Sequence, residues 1–424
     1  MKKINSVLDT VLKQVQPSKG DLEIIENAVK DFSTKLKSQI KKHKIKAEVF
    51  VGGSFAKKTV VKKDYYDVDV FLRFDKKYDD EISKISNKLL KNFKNVKKVH
   101  GSRDYFRIKV NEDLFVELIP VIKVENPKES LNITDLSYSH VKYINKKIKT
   151  KKILDDIKIA KVFCHANNCY GAESYVKGFS GYSLELLVYK YKGFLNFIKE
   201  MSKIKDKLII DIEKQYKNKN QVMMDMNTSK LISPIILVDP TYQQRNALAG
   251  LSQETFEEFK KTCKKFLKNP SVSYFEKKKI DLKKISENAK KLKDEFIIIE
   301  ISTNKQEGDI AGSKLLKFSK HLESEIGKYF QIKRKGFNYN MKKSARIFFV
   351  AKSKKEIILQ GPFVEDKINS KKFRKEHKNI FEKKKKLYAR KKITFGLEEF
   401  VKKWQLKNRK KIKEMSIKSL DKIA

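Results

Sequence analysis

"VGGSFAKKTVVKKDYYDVDVFLRF", residues 51–74, combines two signals that pull in opposite directions. Its second half is rich in β-branched and aromatic residues, which gain by burial, yet the run starts at a Gly52-Gly53-Ser54 turn and carries Asp67 and Asp69 two residues apart. In a strand, residues i and i+2 point to the same face, so the two carboxylates project together with Cα atoms about 6.5 Å apart, while Val68, Val70 and Leu72 turn into a core. No basic residue stands in register between the acids, so they repel each other unless a cation lies between them. A hard divalent ion such as Mg2+ takes oxygen ligands of this kind.

Glycines let a backbone approach a ligand closely, and a turn of this sort offers N–H groups and the Ser54 hydroxyl to phosphate oxygens. Paired carboxylates beside a phosphate-cradling turn point to metal-assisted phosphoryl or nucleotidyl transfer, in which one ion activates an attacking hydroxyl and a second holds a triphosphate. Such a site needs a third carboxylate from a neighbouring strand. Glu117, in "FVELIP", is the candidate because it interrupts an otherwise apolar strand. The competing reading is a pair of exposed acids on an amphipathic edge strand.

Working outward, residues 18–43 carry Leu22, Ile25, Val29, Phe32, Leu36 and Ile40 at three- and four-residue spacing, a helix with one apolar stripe. "AEVFVGGS", "DVDVFLRF", "YFRIKV" and "LFVELIPVIKV" read as short strands, which suits a small mixed sheet with helices on one side. From Ile153 the period changes. Ile153, Ile157, Ala160 and Cys164 mark a helix stopping near Asn167, and a mainly helical segment follows, with the apolar run "ISPIILVDP" and a charged helix from about Gln253 to Leu267. In the last third, "EFIIIEIS" reads as a strand, Asp309 to about Phe330 as a helix, and "ARIFFVAKS" with "KEIILQGP" as a hairpin. This is a βαββ unit, ferredoxin-like or RRM-like, closed by basic helices. "KNIFEKKKKLYARKK" reads as a solvated helix face. The expectation is an α+β multidomain chain: residues 1–150 a catalytic head, 151–278 a mainly helical domain, and 279–424 an α+β body and tail.

At 424 residues and 40% apolar content the chain buries more than one core. Three cysteines are too few for a disulfide framework; Cys164 and Cys169 read as small buried hydrophobes, and a reducing cytoplasm is expected. No stretch approaches the ~20 apolar residues of a membrane helix, and no signal segment is legible at the N-terminus. Lys and Arg number 98 against 52 acids, a formal charge of +46, which points to nucleic acid as the partner. The rival explanation is a compositional habit, since most of the excess is lysine.

The Gly-Ser turn followed by Asp67-x-Asp69 is similar to the signature of the polymerase-β-like nucleotidyltransferase superfamily. "AKVFCHANNCYGAESYVKGFSGYSLELL" and "VDPTYQQRNALAGLS", with "GPF" at 361–363, resemble the archaeal-type, class I CCA-adding enzymes, which build the 3′ end of tRNA. The resemblance spreads over most of the chain and weakens after about residue 280. It implies that Asp67, Asp69 and Glu117 hold two Mg2+ ions, with Glu117 also helping to deprotonate the attacking 3′-hydroxyl, and that Ser54 contacts the triphosphate. It further implies nucleotide contacts for Lys57, Lys161, Tyr170 and His140, and a base-reading region around Asp239 and Arg245. ATP and CTP are the implied substrates, the acceptor stem and TΨC arm of tRNA the implied partner, and a homodimer the family tendency. Phe337, Tyr339 and Trp404 are candidates for stacking on unpaired bases. The chain departs from the family pattern at Lys57, usually arginine, and at Glu117, usually aspartate. Two alternatives stay open: a poly(A)- or oligoadenylate-type enzyme that uses only ATP, and a tRNA-binding homologue without turnover.

Overall fold

Ser18 starts the helix that backs the acidic strand. In the computed structural model, its hydroxyl accepts the Asp21 N–H while the Asp21 carboxylate accepts the Ser18 N–H, a reciprocal cap that begins α2 (Lys19–Lys42) after α1 (Lys2–Val15). The structure describes residues 2–101, 103–277 and 280–423, and divides into two compact units, Met1–Lys278 and Lys279–Ala424.

In the first unit a five-stranded sheet is ordered β1-β2-β5-β4-β3: β1 (Ala47–Val51), β2 (Tyr66–Phe74), β3 (Val96–Val99), β4 (Tyr105–Lys109) and β5 (Leu114–Ile122). Within this sheet only β2 and β5 pair in parallel. A single turn of helix, α3 (Gly53–Ala56), follows β1, and α4 (Ile82–Leu89) follows β2. Phe32, Leu36 and Ile40 of α2 pack on Val70, Leu72, Phe74, Phe106, Val116 and Leu118, so the period-two and period-3.6 stripes read from the sequence meet in one core. Leu22, the first residue of the expected helical stripe, is exposed.

The rest of this unit comprises α5 (Ser137–Lys147), α6 (Lys151–Ala166), α7 (Gly181–Lys190), α8 (Phe194–Lys203), β6 (Leu208–Asp211), α9 (Lys219–Asp225), β7 (Ile235–Asp239), β8 (Tyr242–Asn246) and α10 (Gln253–Lys268). Phe163, Phe179, Phe194, Phe197, Phe259 and Phe266 fill its core, and Leu8 and Val11 of α1 are buried in that same core rather than against the sheet that follows α1 in the sequence. The run "ISPIILVDP" supplies β7, the middle strand of a three-stranded sheet, inside a segment expected to be mainly helical. All five residues of β7 are buried, and a fully apolar run of that length is a strand pattern.

The second unit contains α11 (Leu282–Lys291), β9 (Glu295–Thr303), α12 (Asp309–Tyr329), β10 (Phe330–Tyr339), β11 (Ser344–Ser353), β12 (Glu356–Phe363), α13 (Lys367–Glu376), β13 (Ile380–Lys383), β14 (Lys386–Lys392), α14 (Leu397–Lys407), α15 (Arg409–Glu414) and β15 (Ile417–Lys422). Two expectations are corrected here. The expected hairpin of β11 with β12 does not form, because β10 and β9 take both edges of β11, and β12 joins a separate sheet ordered β12-β14-β13. The charge run at 378–392 is a hairpin, not a helix face: Lys384 and Lys385 turn at positive φ (50° and 61°), and Leu387 and Ala389 alternate inward beneath exposed lysines. Of the three aromatics that could equally stack on bases or fill the core, Trp404 is buried with Leu397 and Val401, while Phe337 and Tyr339 are half-buried against the same core, with the Tyr339 hydroxyl hydrogen-bonded to the Gly308 backbone.

Candidate active site

The parallel register of β2 and β5 sets Asp69 beside Glu117, and Asp67 one pleat along beside Phe115. All three expected carboxylates therefore share one face of the sheet, opposite the buried side chains of Val68, Val70 and Leu72. Burial, then the charges of Asp67 and Asp69, push the Glu117 carboxyl up to about 7. The Asp69 carboxyl is also raised, by burial first, with the Lys57 ammonium opposing the rise.

The glycine turn is shaped around this face. Gly53 has φ 61°, and a Cβ there would lie 1.7 Å from Asp69 Oδ2; a Cβ on Gly52 would lie 2.3 Å from the Phe71 ring. The Gly52 N–H donates to the Asp69 carbonyl at 2.9 Å, locking turn to strand, and Ser54 begins the chain's return through a hydrogen bond from the Thr59 N–H to its carbonyl at 2.9 Å. The close approach at both glycines is to the chain's own Phe71 and Asp69 side chains, whereas the sequence reading looked to a ligand.

Lys57 and Lys161, far apart in sequence, converge on Glu185 of α7. Lys57 Nζ donates to Glu185 Oε2 at 2.6 Å and Lys161 Nζ to Oε1 at 2.9 Å, while Lys161 also donates to the Thr59 hydroxyl at 2.7 Å. Glu185 is wholly buried; burial alone would raise its carboxyl, but Lys161 and Lys57 hold it down at about 2. Tyr170 closes on the same place. A Cβ on Gly181, the first residue of α7, would come within 3.0 Å of the Tyr170 hydroxyl and 3.8 Å of Lys161 Cε, so the absence of a side chain there leaves room for both.

Asp239 organises a third group. It is fully buried, and its carboxylate receives the His140 ring Nε2 at 3.1 Å, the Tyr182 hydroxyl at 2.9 Å, the Thr241 hydroxyl at 2.8 Å and the Arg245 guanidinium. Burial would raise this carboxyl, yet its hydrogen bond with His140 and the positive charge nearby keep it well below the usual range. His140 stacks on Tyr182 with centroids 4.0 Å apart. Arg245 therefore forms an ion pair with Asp239, within the region expected to read the base. Its Nε is buried without a hydrogen-bond partner among the described residues. Lys57 lies within electrostatic reach of both Asp69 and His140, which ties the three groups to one region of the first unit.

One sequence expectation about this face is corrected. A basic residue does stand in register with the acids: Arg107 of β4 is paired with Glu117, and its Nη2 donates to Asp67 Oδ1 at 2.8 Å. It comes from a neighbouring strand, which inspection of β2 alone misses; the tight β4–β5 connection in "YFRIKVNEDLFVELI" was the available signal. Glu185 had a signal too, as the one acid in the apolar "GYSLELLVYK". Thr59 and Tyr182 had none.

Among the described residues no group of three His, Cys, Asp or Glu side chains is gathered tightly enough to hold a metal ion as the side chains stand. The donor set nonetheless fits a hard divalent ion: three carboxylates share a face, and the upward shifts of Asp69 and Glu117 record burial and, from neighbouring acids, repulsion that a cation would relieve.

Comparisons with known proteins agree with this geometry. Residues 1–154 match the family described as the second messenger oligonucleotide or dinucleotide synthetase domain, and residues 155–276 match the second domain of the tRNA nucleotidyltransferases. The fold is similar to that of a cytoplasmic RNA terminal U-transferase, with a TM-score of 0.50 at 14% identity over 66% of this chain and 100% of that one. The two matched segments and the fold similarity together cover most of the first unit and resemble nucleotidyltransferases. The chain is also similar to archaeal CCA-adding enzymes, the group its motifs resemble. It is 43% identical to the CCA-adding enzyme of Nanoarchaeum equitans over 49% of this chain and 52% of that one, and 28% identical to that of Methanocaldococcus jannaschii over 91% of this chain and 87% of that one. The first of these alignments thus spans about half of the relative's length. No helix among the described residues is long and apolar enough to cross a membrane.

Proposed function

We propose that this chain adds C, C and A to the 3′ end of tRNA from CTP and ATP. The observation that carries the proposal is the register that sets Asp69 beside Glu117, with Asp67 on the same face and the Gly52-Gly53-Ser54 turn pressed against it. In this reading Asp67, Asp69 and Glu117 hold two Mg2+ ions, which when bound lower the barrier to attack by a 3′-hydroxyl on the α-phosphorus and stabilise the departing pyrophosphate.

The chain's own residues orient the substrates. The turn at Ser54 and the ammonium groups of Lys57 and Lys161 receive the triphosphate, and Glu185 holds both ammonium groups in a fixed, dry position, so little reorganisation is needed when phosphate arrives. Tyr170, which like Lys161 lies against Gly181, bounds the sugar side. His140 and Arg245, both hydrogen-bonded to the buried Asp239, form a rigid polar wall whose fixed donors discriminate cytosine from adenine by hydrogen-bond pattern, as a site does when a mismatched base leaves its buried groups unpaired. Glu117, on the face shared with Asp67 and Asp69, is placed to take the proton of the attacking hydroxyl. The positive charge of the whole chain draws in tRNA.

The test is end sequencing. Protein, Mg2+, CTP and ATP are incubated with tRNA lacking its last three nucleotides. An ordered CCA end is expected; an open-ended A tract refutes the assignment in favour of an ATP-only enzyme, and no incorporation alongside tight tRNA binding refutes catalysis.

A further inference from the structure

Arg107 is seated among the very carboxylates that a divalent ion needs. Its row in the sheet is Asp69, Glu117, Arg107, and its guanidinium leans across the ring of Phe115, 4.1 Å from the centroid, to reach Asp67. The Tyr65 ring lies 5.3 Å away on the same group. Lys63 is nearby but is mostly exposed and only 4.0 Å from Asp67 Oδ2, so Arg107 is the cation built into the face.

The seat is incomplete. Arg107 Nε is buried without a hydrogen-bond partner among the described residues, because Glu117 Oε1 is 3.7 Å away, beyond donating distance. A guanidinium that matched this site as a permanent structural ion pair would satisfy its fork. Arg107 also borders an open pocket of about 570 Å3 that is lined with it by Asn95, Lys97, Lys109, Asn111, Glu112 and Phe115.

We propose that Arg107 is a built-in competitor for the divalent ion: it neutralises Asp67 and Glu117 when no ion is present, and must swing toward the cavity for the carboxylates to close on one. This rests on the reading of Asp67, Asp69 and Glu117 as ion ligands. Arg107 thereby sets the ion affinity of the site and couples ion entry to a side-chain rotation.

The test is Mn2+ binding to the full-length protein without nucleotide or RNA, followed by paramagnetic resonance of the free ion, for wild type, R107Q, R107K and D69N/R107Q. An opposite charge within hydrogen-bonding reach shifts a carboxylate's proton affinity by one to three units, so R107Q is expected to bind Mn2+ about tenfold tighter or more. R107K, which keeps charge but loses the planar fork, is expected to fall between. D69N/R107Q is expected to lose the gain. Equal or weaker Mn2+ binding by R107Q overturns the competitor role and leaves the carboxylate reading standing. No Mn2+ binding by either wild type or R107Q overturns both.

Discussion

Replacing Glu185 by glutamine tests whether the two phosphate-facing lysines are held by one buried charge. The variant keeps the shape and one oxygen acceptor but leaves the ammonium groups of Lys57 and Lys161, each at most 8% exposed, without a counter-charge. Removing one partner from a buried ion pair costs about 3–5 kcal/mol. The lowering of the Glu185 carboxyl from 4.5 to about 2 gives an independent figure of about 3 kcal/mol at neutral pH, in the same range. The sign follows from the direction of the shift. A depressed carboxyl stabilises the fold fully above its unfolded value near 4.5 and loses that contribution as pH falls through about 2. Circular-dichroism melts of the full chain should therefore show E185Q melting roughly 6–15 °C below wild type at pH 7. The gap should shrink to roughly half by pH 3. A variant within about 2 °C of wild type at pH 7, or a deficit that does not change with pH, would refute the buried-clamp account.

Gly53→Ala puts a Cβ 1.7 Å from Asp69 Oδ2 at a φ of 61°, so it should displace Asp69 and abolish nucleotide incorporation, with a stability loss of only about 1–2 kcal/mol by denaturant titration. Asp69→Asn should abolish incorporation while tRNA affinity in a filter-binding assay stays within about twofold, because charge at this face addresses the ions rather than the phosphate backbone; preserved turnover would remove the carboxylate argument. The logarithm of tRNA affinity should fall linearly with the logarithm of salt, with a slope of about 0.7 to 0.9 per phosphate contacted, and a flat dependence would count against the role assigned to the chain's net charge.

Several things about this protein were legible in the sequence because their causes are local. Strand alternation alone put Asp67 and Asp69 on one face and Val68, Val70 and Leu72 on the other. The helical stripe from Ile25 to Ile40 and the stop of α6 at Asn167 follow from spacing and capping within a few residues. Glycine at 52 and 53 signalled a crowded turn, although the neighbours that crowd it, Phe71 and Asp69, are named only by the fold. What depended on partners distant in the chain was hidden. Arg107 faces the acids only because β4 lands antiparallel beside β5, and Glu185 becomes the counter-charge of Lys57 and Lys161 only once α7 packs against both. The charge run at 378–392 misled for a related reason: lysine density masks a two-residue alternation whose inward side, Leu387 and Ala389, is recognised only when the strand has a core to face. Composition and period determine which side of an element is apolar, but pairing and docking, which are settled by the free energy of the whole packed chain, decide which charge each polar side chain meets.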